Sequence, residues 1–313
     1  MSNEVDFFFS QPNSERLDKF LVSCLSELTR THIQGLIKNG YVMVNNLTIL
    51  KAGYSLEKGA SIHVTLPLPK PSNLQAENIP LDIVFEDDNM LVVNKPAGMV
   101  VHPSAGHQSS TLINALLAHT PFLSQQMSKV RPGIVHRLDK DTSGLILIAK
   151  NEKSQVFLQE QFSSRKVEKY YFALVDSKPK TPVGRIEAPI YRDPSNRKKM
   201  TIAPGNKGRM AITEYSTVES FTHHTLLRVK ILTGRTHQIR VHLASMHCPV
   251  VGDRVYGHKN PSLPISRQFL HAYQIKIQIP GNSQIQNFIA PLPEDLKFVL
   301  QKLNSKFLLE VGL

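Results

Sequence analysis

A short polar loop followed by an apolar run stands near the middle of the chain, GIVHRLDKDTSGL at residues 133–145. The loop carries Arg137 and Asp139, and the apolar residues 145–148 after it predict a buried β-strand. A loop held by the end of a strand is a common position for catalytic groups. Asp139 is therefore a candidate catalytic carboxylate, although a single loop aspartate is more often only a surface charge.

A second polar segment, LTGRTHQIRVHL at residues 232–243, spreads Arg235, His237, Arg240 and His242 around a predicted helix start. An arginine close to a carboxylate favours its ionised form, so this segment can support an acidic group elsewhere in the chain. The two histidines are five positions apart, which is poor spacing for two metal ligands on one helix face, and no acidic or cysteine partner completes a set. We expect no metal site.

The order of predicted elements around these two segments favours an α+β domain with a mixed or antiparallel sheet. Short β-type runs are frequent, and helical stretches lie between some of them. The predicted strands are residues 83–85, 91–93, 145–148, 170–175, 226–231 and 275–279, and the predicted helices are residues 111–119 and 154–162. A turn rich in proline and glycine, VVNKPAG at residues 92–98, fixes the chain direction after the second strand.

Residues 14–66 form a separate predicted module. Ser14 is placed to cap a helix whose apolar residues, from Leu17 to Leu28, follow the spacing of an amphipathic helix. A second helix ends near Gly40, and strands follow at residues 41–44 and 62–66. The proline-rich residues 67–80 predict a linker, and residues 81–306 predict one larger domain.

The composition is compatible with a nucleic-acid-binding protein and fits a cytoplasmic one. The formal net charge is +12, which suits a protein that neutralises phosphates. The two cysteines lie far apart and suggest neither a zinc site nor a disulfide. No apolar run is long enough to cross a membrane, and the acidic N-terminus does not look like a signal peptide. We expect a cytoplasmic monomer with no membrane partner.

The small module resembles the S4 RNA-binding domain. The resemblance rests on three segments: RLDKFL at residues 16–21, TRTHIQ at residues 29–34 and LIKNGYVMVN at residues 36–45. It implies a module that binds structured RNA through a basic helix and the turn after it. The residues expected to contact RNA are Arg16, Arg30, Thr31 and Lys38.

The larger domain resembles the RluA-type pseudouridine synthase family from about residue 81 to residue 257. The resemblance rests on four segments: RLD at residues 137–139 with TSG at residues 142–144, KYYFA at residues 169–173, GRTHQIR at residues 234–240, and VVGDRVYG at residues 250–257. It implies a small S4-like αβ module followed by a pseudouridine synthase domain, whose central mixed or antiparallel β-sheet is flanked by helices.

The resemblance also implies roles for single residues. Asp139 matches the essential aspartate of the family, and Arg240 matches the arginine that pairs with it. Tyr171 fits the tyrosine that packs on the target base, with Tyr170 as the competing choice. Arg137 matches the arginine that fills the gap left by a flipped nucleotide.

Pseudouridine formation breaks the bond from ribose C1′ to uracil N1 and rejoins the base through C5. Substrate and product contain the same atoms, so no cofactor is expected. Asp139 can attack C1′ as a nucleophile, or it can act as a base that removes a sugar proton to form a glycal. The sequence does not choose between these routes.

Other functions remain open from the sequence. One is a metal-independent hydrolase of RNA with Asp139 and His237 as an acid–base pair. Another is a non-catalytic rRNA-binding or ribosome assembly factor. Within the synthases, VVHPSAG at residues 100–106 resembles the D-type group that modifies large-subunit (23S) ribosomal RNA, with transfer RNA as the alternative substrate.

Overall fold

The computed structural model describes residues 3–25, 28, 30–67, 74–103, 106–121, 123, 132–196, 198–205 and 207–308, apart from the side chains of Asn3 and Thr31. The chain divides into two compact units, Met1–Ser72 and Asn73–Leu313. Within the described part of the chain, no helix is both long enough and apolar enough to cross a bilayer.

The described residues of the first unit form six short strands and two helices. The strands are β1 (Asn3–Phe9), β2 (Glu15–Arg16), β3 (Val42–Val44), β4 (Leu47–Thr48), β5 (Ser55–Leu56) and β6 (Ala60–Leu66). Four of them form a sheet in the order β1-β6-β3-β4, while β2 pairs with β5. The helices are α1 (Leu17–Cys24) and α2 (Arg30–Lys38). Their apolar faces share a core with the sheet, in which Leu17, Leu21, Ile33 and Ile37 are fully buried.

The predicted cap of the first helix is wrong. Helix α1 begins at Leu17 after Arg16, and no side chain caps it. Its first backbone N–H groups bond instead to loop carbonyls, from Leu17 to Tyr54 and from Asp18 to Ala52. Because β2 pairs with β5 immediately before the helix, the chain is still extended at the position where Ser14 would have to act.

The second unit is built on a nine-stranded sheet with the main order β11-β14-β15-β10-β16-β9-β8-β7, and β17 also pairs with β16. Its strands are β7 (Ile83–Glu86), β8 (Met90–Lys95), β9 (Ser143–Ala149), β10 (Glu168–Asp176), β11 (Val183–Glu187), β14 (Ile212–Ser220), β15 (His224–Ile231), β16 (Leu270–Gln278) and β17 (Ile285–Ile289). A separate hairpin pairs β12 (Ile190–Arg192) with β13 (Met200–Ile202).

The helices among the described residues of the second unit are α3 (Leu112–His119), α4 (Glu152–Ser163), α5 (Gln238–Ser245) and α6 (Glu294–Lys302). Among the described strand pairs of this sheet, β9 and β16 run parallel and the others run antiparallel. The predicted α+β class with a mixed sheet is therefore confirmed. The helix predicted at residues 154–162 begins earlier, because Asn151 caps it by accepting the backbone N–H of Ser154.

Strands β9 and β10 lie in the middle of the core. Every residue of β9 is buried, as are all residues of β10 except its first. This agrees with the apolar run that follows the polar loop of residues 133–142, since a strand covered on both faces needs apolar residues at successive positions. The polar loop is consequently joined to a fully buried strand.

Gly144 allows β9 to approach β16. It pairs with Ala272 at the parallel contact and has a φ of +112°. A Cβ at this position would lie 2.2 Å from the carbonyl oxygen of Ala272. Because that neighbour is backbone, it cannot move aside by changing a rotamer.

We predict that Gly144→Ala lowers the free energy of unfolding by about 3 kcal/mol or more, in the range of severe core damage. Urea unfolding of the purified chain measures the loss. Gly281→Ala is the matched control, because Gly281 also has a positive φ, +79°, but faces open space. That variant should lose only the cost of a left-handed residue, about 1 to 2 kcal/mol. Equal losses in both variants would refute the steric explanation.

Candidate active site and RNA-binding residues

The polar loop that carries Asp139 is fastened along the edge of β9. The backbone N–H of Ala149 donates to the carbonyl of Gly133 at 2.8 Å. Nε2 of His136 accepts the backbone N–H of Leu147, also at 2.8 Å. The imidazole ring stacks on Phe162, with 4.7 Å between ring centroids. His136 is therefore a structural residue that accepts a backbone N–H group of β9.

The fully buried Lys95 joins the turn after β8 to the same loop. Its ammonium donates to the carbonyls of Pro96, Met99 and Lys140 at 2.8, 3.0 and 3.1 Å. Burial lowers the pKa of Lys95 to about 7, although the charge of Asp141 opposes the shift. Lys95 therefore links the turn after β8 to the loop that carries Asp139.

Asp139 faces Arg240, which lies in the first turn of α5. Oδ2 of the aspartate accepts a hydrogen bond from Nη1 of the arginine at 3.2 Å. The side chain of Asp139 keeps 16% of its surface exposed, whereas that of Arg240 keeps 7%. Residues 101 positions apart in the chain thus form a partly buried ion pair.

Arg240 is itself held by Asp253. Its Nε and Nη2 donate to the two oxygens of Asp253 at 2.6 and 2.9 Å. Burial acts to lower the pKa of the guanidinium, but the hydrogen bonds and charge of Asp253, with those of Asp139, outweigh it and raise the pKa. The backbone N–H groups of Val255 and Tyr256 also donate to Asp253, which is completely buried. Arg240 is a fixed, permanently charged group.

A pocket opens beside Asp139 and contains Tyr171 and Arg240 in its walls. Tyr171 lies in β10 and is 6% exposed. Its neighbour Tyr170 turns to the other face of the strand, where Arg228 lies 4.7 Å from its ring centroid. Burial, and then the charge of Asp139, raise the pKa of Tyr171 above its ordinary value. The phenol is therefore neutral and poorly suited to act as a base.

The other polar residues of the two segments lie at different places. Arg137 is exposed and lines the pocket. Arg235 also lines the pocket, and its Nε donates to the carbonyl of Met210. His242 is buried away from the pocket, where its ring contacts Thr213 and the carbonyl of Ala188. Among the described residues, no group of three or more His, Cys, Asp or Glu is arranged to hold a metal ion.

Two of the candidate RNA contacts of the first unit, Arg16 and Arg30, bond to a buried carboxylate. Asp18 accepts hydrogen bonds from Nε of Arg16 at 2.9 Å, from Nη2 of Arg30 at 2.9 Å and from Nε2 of Gln34 at 2.8 Å. These donors, Arg16 first, hold the pKa of Asp18 well below its usual range. Both arginine side chains remain about half exposed, so Asp18 orients them toward solvent.

The other two candidates of this unit differ in what can be said of them. Lys38 is exposed in the last turn of α2. Thr31 is part of α2, but its side chain lies outside the described residues. Its predicted RNA contact stays a prediction.

Three residues of the site were not assigned roles from the sequence: Lys95, Asp253 and Tyr256. Each stands in a quoted motif, but a lysine, an aspartate or a tyrosine beside glycines also suits an ordinary turn. One feature of the sequence could have led to Asp253. An arginine that is buried in a site must pair with carboxylates, so an acidic residue near Arg240 in the chain is a candidate partner. Asp253, which lies 13 positions after Arg240, is the acidic residue that meets this need.

The sequence matches two family models. The model described as RNA pseudouridylate synthase matches residues 89–245, and that of the S4 domain matches residues 15–62. The first match covers half of the chain.

Relatives match over nearly the whole chain. An uncharacterized RNA pseudouridine synthase of Chloroflexus aurantiacus is 46% identical and covers 94% of this chain and 91% of its own. A ribosomal large subunit pseudouridine synthase D of Zymomonas mobilis is 38% identical, covering 92% of this chain and 93% of its own. A protein of the same description from Nitrosomonas europaea is 41% identical, with 93% and 85% covered.

The fold of this chain is similar to that of a solved human protein, RNA Pseudouridylate Synthase Domain Containing 4. The TM-score is 0.58 and the sequence identity is 26%. The similarity covers 71% of this chain and 92% of the human one.

We predict that His136 makes stability fall in acid. Burial lowers its pKa from 6.5 to about 3, so the unfolded chain binds this proton more readily below pH 6.5. Stability present above pH 6.5 is then lost toward pH 3, by up to about 1.4 kcal/mol per pH unit. Urea unfolding at several pH values should show a flatter profile for His136→Gln than for the wild type. His223→Gln, at an exposed position, is the control. Parallel profiles for wild type and His136→Gln would contradict the prediction.

Proposed function

This chain belongs to the RNA pseudouridylate synthase family, and on that basis we propose that it isomerises specific uridines of large-subunit (23S) ribosomal RNA, with Asp139 as its catalytic carboxylate. The chain is an RNA pseudouridine synthase, an isomerase, with an N-terminal S4 domain. The target RNA and the roles of individual residues are the content of the proposal.

One observation carries the assignment of the site. Asp139, Tyr171 and Arg240 line one pocket, with Nη1 of the arginine 3.2 Å from Oδ2 of the aspartate. A pocket that joins a carboxylate, a buried aromatic ring and a fixed cation suits a reaction at a sugar carbon beside a flat base. The base leaves the stack to enter such a pocket.

Asp139 has a free oxygen for chemistry. Its Oδ2 bonds to Arg240, and within the described residues no hydrogen bond engages Oδ1. Oδ1 can attack C1′, with the bonding electrons passing to uracil N1, or it can remove the proton on C2′ as the same bond breaks. Both routes need a carboxylate that is ionised and held still, which Arg240 provides.

The remaining residues of the pocket bind the uridine. Tyr171 is neutral and buried, so its ring can stack on the detached uracil while it turns from N1 to C5. Arg137 lies exposed at the same pocket, where it can occupy the space left in the RNA and contact phosphates. These contacts keep the base from diffusing away before it rejoins the sugar.

Charge and relatives support ribosomal RNA as the substrate. The net charge of +12 suits a phosphate-rich partner, and an S4 domain precedes the catalytic domain. Two relatives at 38% and 41% identity are described as ribosomal large subunit synthases. The proposal includes that the protein acts in the cytoplasm as a monomer and needs no cofactor.

We predict that the purified protein releases tritium from a 23S rRNA transcript labelled at uracil C5 and leaves the strand uncut. Asp139→Asn should lower the rate of release by more than about a thousandfold, as expected for loss of an essential group. A labelled pool of transfer RNA, tested in parallel, should release little tritium. Asp88→Asn, at an exposed turn, removes the same charge as a control.

Each alternative has its own outcome in this experiment. Free uracil or strand cleavage would support a hydrolase. Binding without tritium release would support an assembly factor. Release from transfer RNA alone would replace the proposed substrate, and full activity of Asp139→Asn would overturn the catalytic assignment.

We predict that Arg30→Gln weakens binding of the full chain to the 23S transcript and lowers the salt dependence of the binding constant. The slope of log K against log salt should fall by about 0.7 to 0.9 for one lost phosphate contact. Lys58→Gln removes the same charge from an exposed turn of the same unit and is the control. Equal effects of both variants would show that only total charge matters and that the arginine held by Asp18 has no special role.

A further inference from the structure

His237 stands between Asp139 and Tyr256, and the proposed function assigns it no role. Its Nε2 lies 4.0 Å from Oδ2 of Asp139, and its Nδ1 lies 2.7 Å from the hydroxyl oxygen of Tyr256. The residue has a φ of 55° and directly precedes α5. A left-handed backbone is uncommon for residues other than glycine, although histidine adopts it more readily than most, and such positions are frequent at functional sites.

The hydrogen bonds around Tyr256 indicate which ring nitrogen of His237 carries the hydrogen. The backbone N–H of Met200 can only donate, and it does so to the hydroxyl oxygen of Tyr256 at 2.8 Å. The hydroxyl has one hydrogen of its own. Among the residues that the structure describes, the acceptor facing it is Nδ1 of His237. The geometry thus lets the hydroxyl of Tyr256 donate to Nδ1, and with Nδ1 as the acceptor a neutral ring carries its hydrogen on Nε2.

The Nε2–H group of this tautomer lies on the side of Asp139. The nearest carboxylate oxygen is Oδ2, the same oxygen that accepts from Nη1 of Arg240. The distance of 4.0 Å is longer than a hydrogen bond, but such contacts tighten when a pocket binds its substrate. Both donors approach one oxygen and leave the other open to the pocket.

We propose that His237 is a positioning residue that donates Nε2–H to Oδ2 of Asp139 in the substrate complex, so that Oδ1 is the oxygen that reacts. The inference rests on the proposed function and deepens it by naming the reacting oxygen. It applies to both chemical routes, since nucleophile and base alike need one free oxygen at a fixed angle. Tyr256 acts one step further out, by selecting the tautomer.

Burial favours the neutral form of the His237 ring. Burial, with Arg240 and Arg137, lowers its pKa, while Asp139 and Asp253 oppose this effect. A neutral donor orients the carboxylate without adding a second cation that would weaken it as a nucleophile or base. Because Nε2 already holds a hydrogen, His237 cannot accept a proton from the pocket, which argues against its pairing with Asp139 as a general base.

The tautomer can be observed without any activity. Two-bond ¹H–¹⁵N spectra of the full chain labelled in histidine distinguish Nε2–H, Nδ1–H and doubly protonated rings. His237→Gln removes one set of signals and so assigns it. We expect Nε2–H at neutral pH in the wild type and a mixture of both tautomers in Tyr256→Phe. Nδ1–H or a charged ring in the wild type would overturn the proposal.

Kinetics test the function of the donor. His237→Leu removes the N–H group, whereas His237→Gln supplies another at a similar distance along the side chain. For tritium release from the 23S transcript, we expect His237→Leu to lower kcat by about tenfold or more with KM within about twofold. His237→Gln should recover most of kcat, and the exposed His223→Gln should match the wild type.

The outcomes separate this inference from the proposed function. Equal losses in the leucine and glutamine variants, or a change in KM alone, would refute donation to Asp139 and leave a structural role. No release by the wild type would refute the proposed function, while the tautomer measurement would still stand on its own.

Discussion

The buried guanidinium of Arg240 is the group on which the rest of the site depends, because a cation removed from water must be paired. Asp253 pairs with two of its nitrogens, and Asp139 pairs with the third at 3.2 Å. These ion pairs therefore restrict the relative positions of three elements, which are helix α5, the loop before β9 and the turn that contains Asp253. The position of Asp139 in the pocket thus depends on the pairing of the charge of Arg240 with two carboxylates.

The two carboxylates that face Arg240 differ in how many donors they receive. Asp253 is fully buried and accepts from Arg240 twice and from the backbone of Val255 and Tyr256. Asp139 keeps 16% of its side-chain surface exposed and accepts from Arg240 through one oxygen. A carboxylate saturated with donors is a poor nucleophile and a poor base, which supports the proposal that Asp139 is the reacting carboxylate and that Asp253 holds Arg240.

The sequence singled out Asp139, Tyr171 and Arg240, which the structure brings to one pocket, because their order along the chain resembles a family. Local patterns alone did not single them out. In β10, alternation explains why Tyr171 reaches the pocket and Tyr170 faces the other side. Ser14 failed as a helix cap because strand pairing and loop carbonyls, both long-range contacts, decide where α1 begins. From the sequence, His237 was considered as a metal ligand or as an acid–base group. Its contact with Tyr256, 19 positions later in the chain, depends on the fold and has no signature in the sequence.

The partners of Asp139 share one property, which is a single protonation state near neutral pH. The pKa of Arg240 is raised by Asp253 and Asp139 in spite of burial, that of Tyr171 is raised by burial, and that of His237 is lowered by burial. Such groups hold and orient without exchanging protons. In the proposed reaction one hydrogen leaves C5 and one is gained at N1, so the overall balance of protons is zero, and among these groups the carboxylate of Asp139 is the one that can take up the C5 hydrogen.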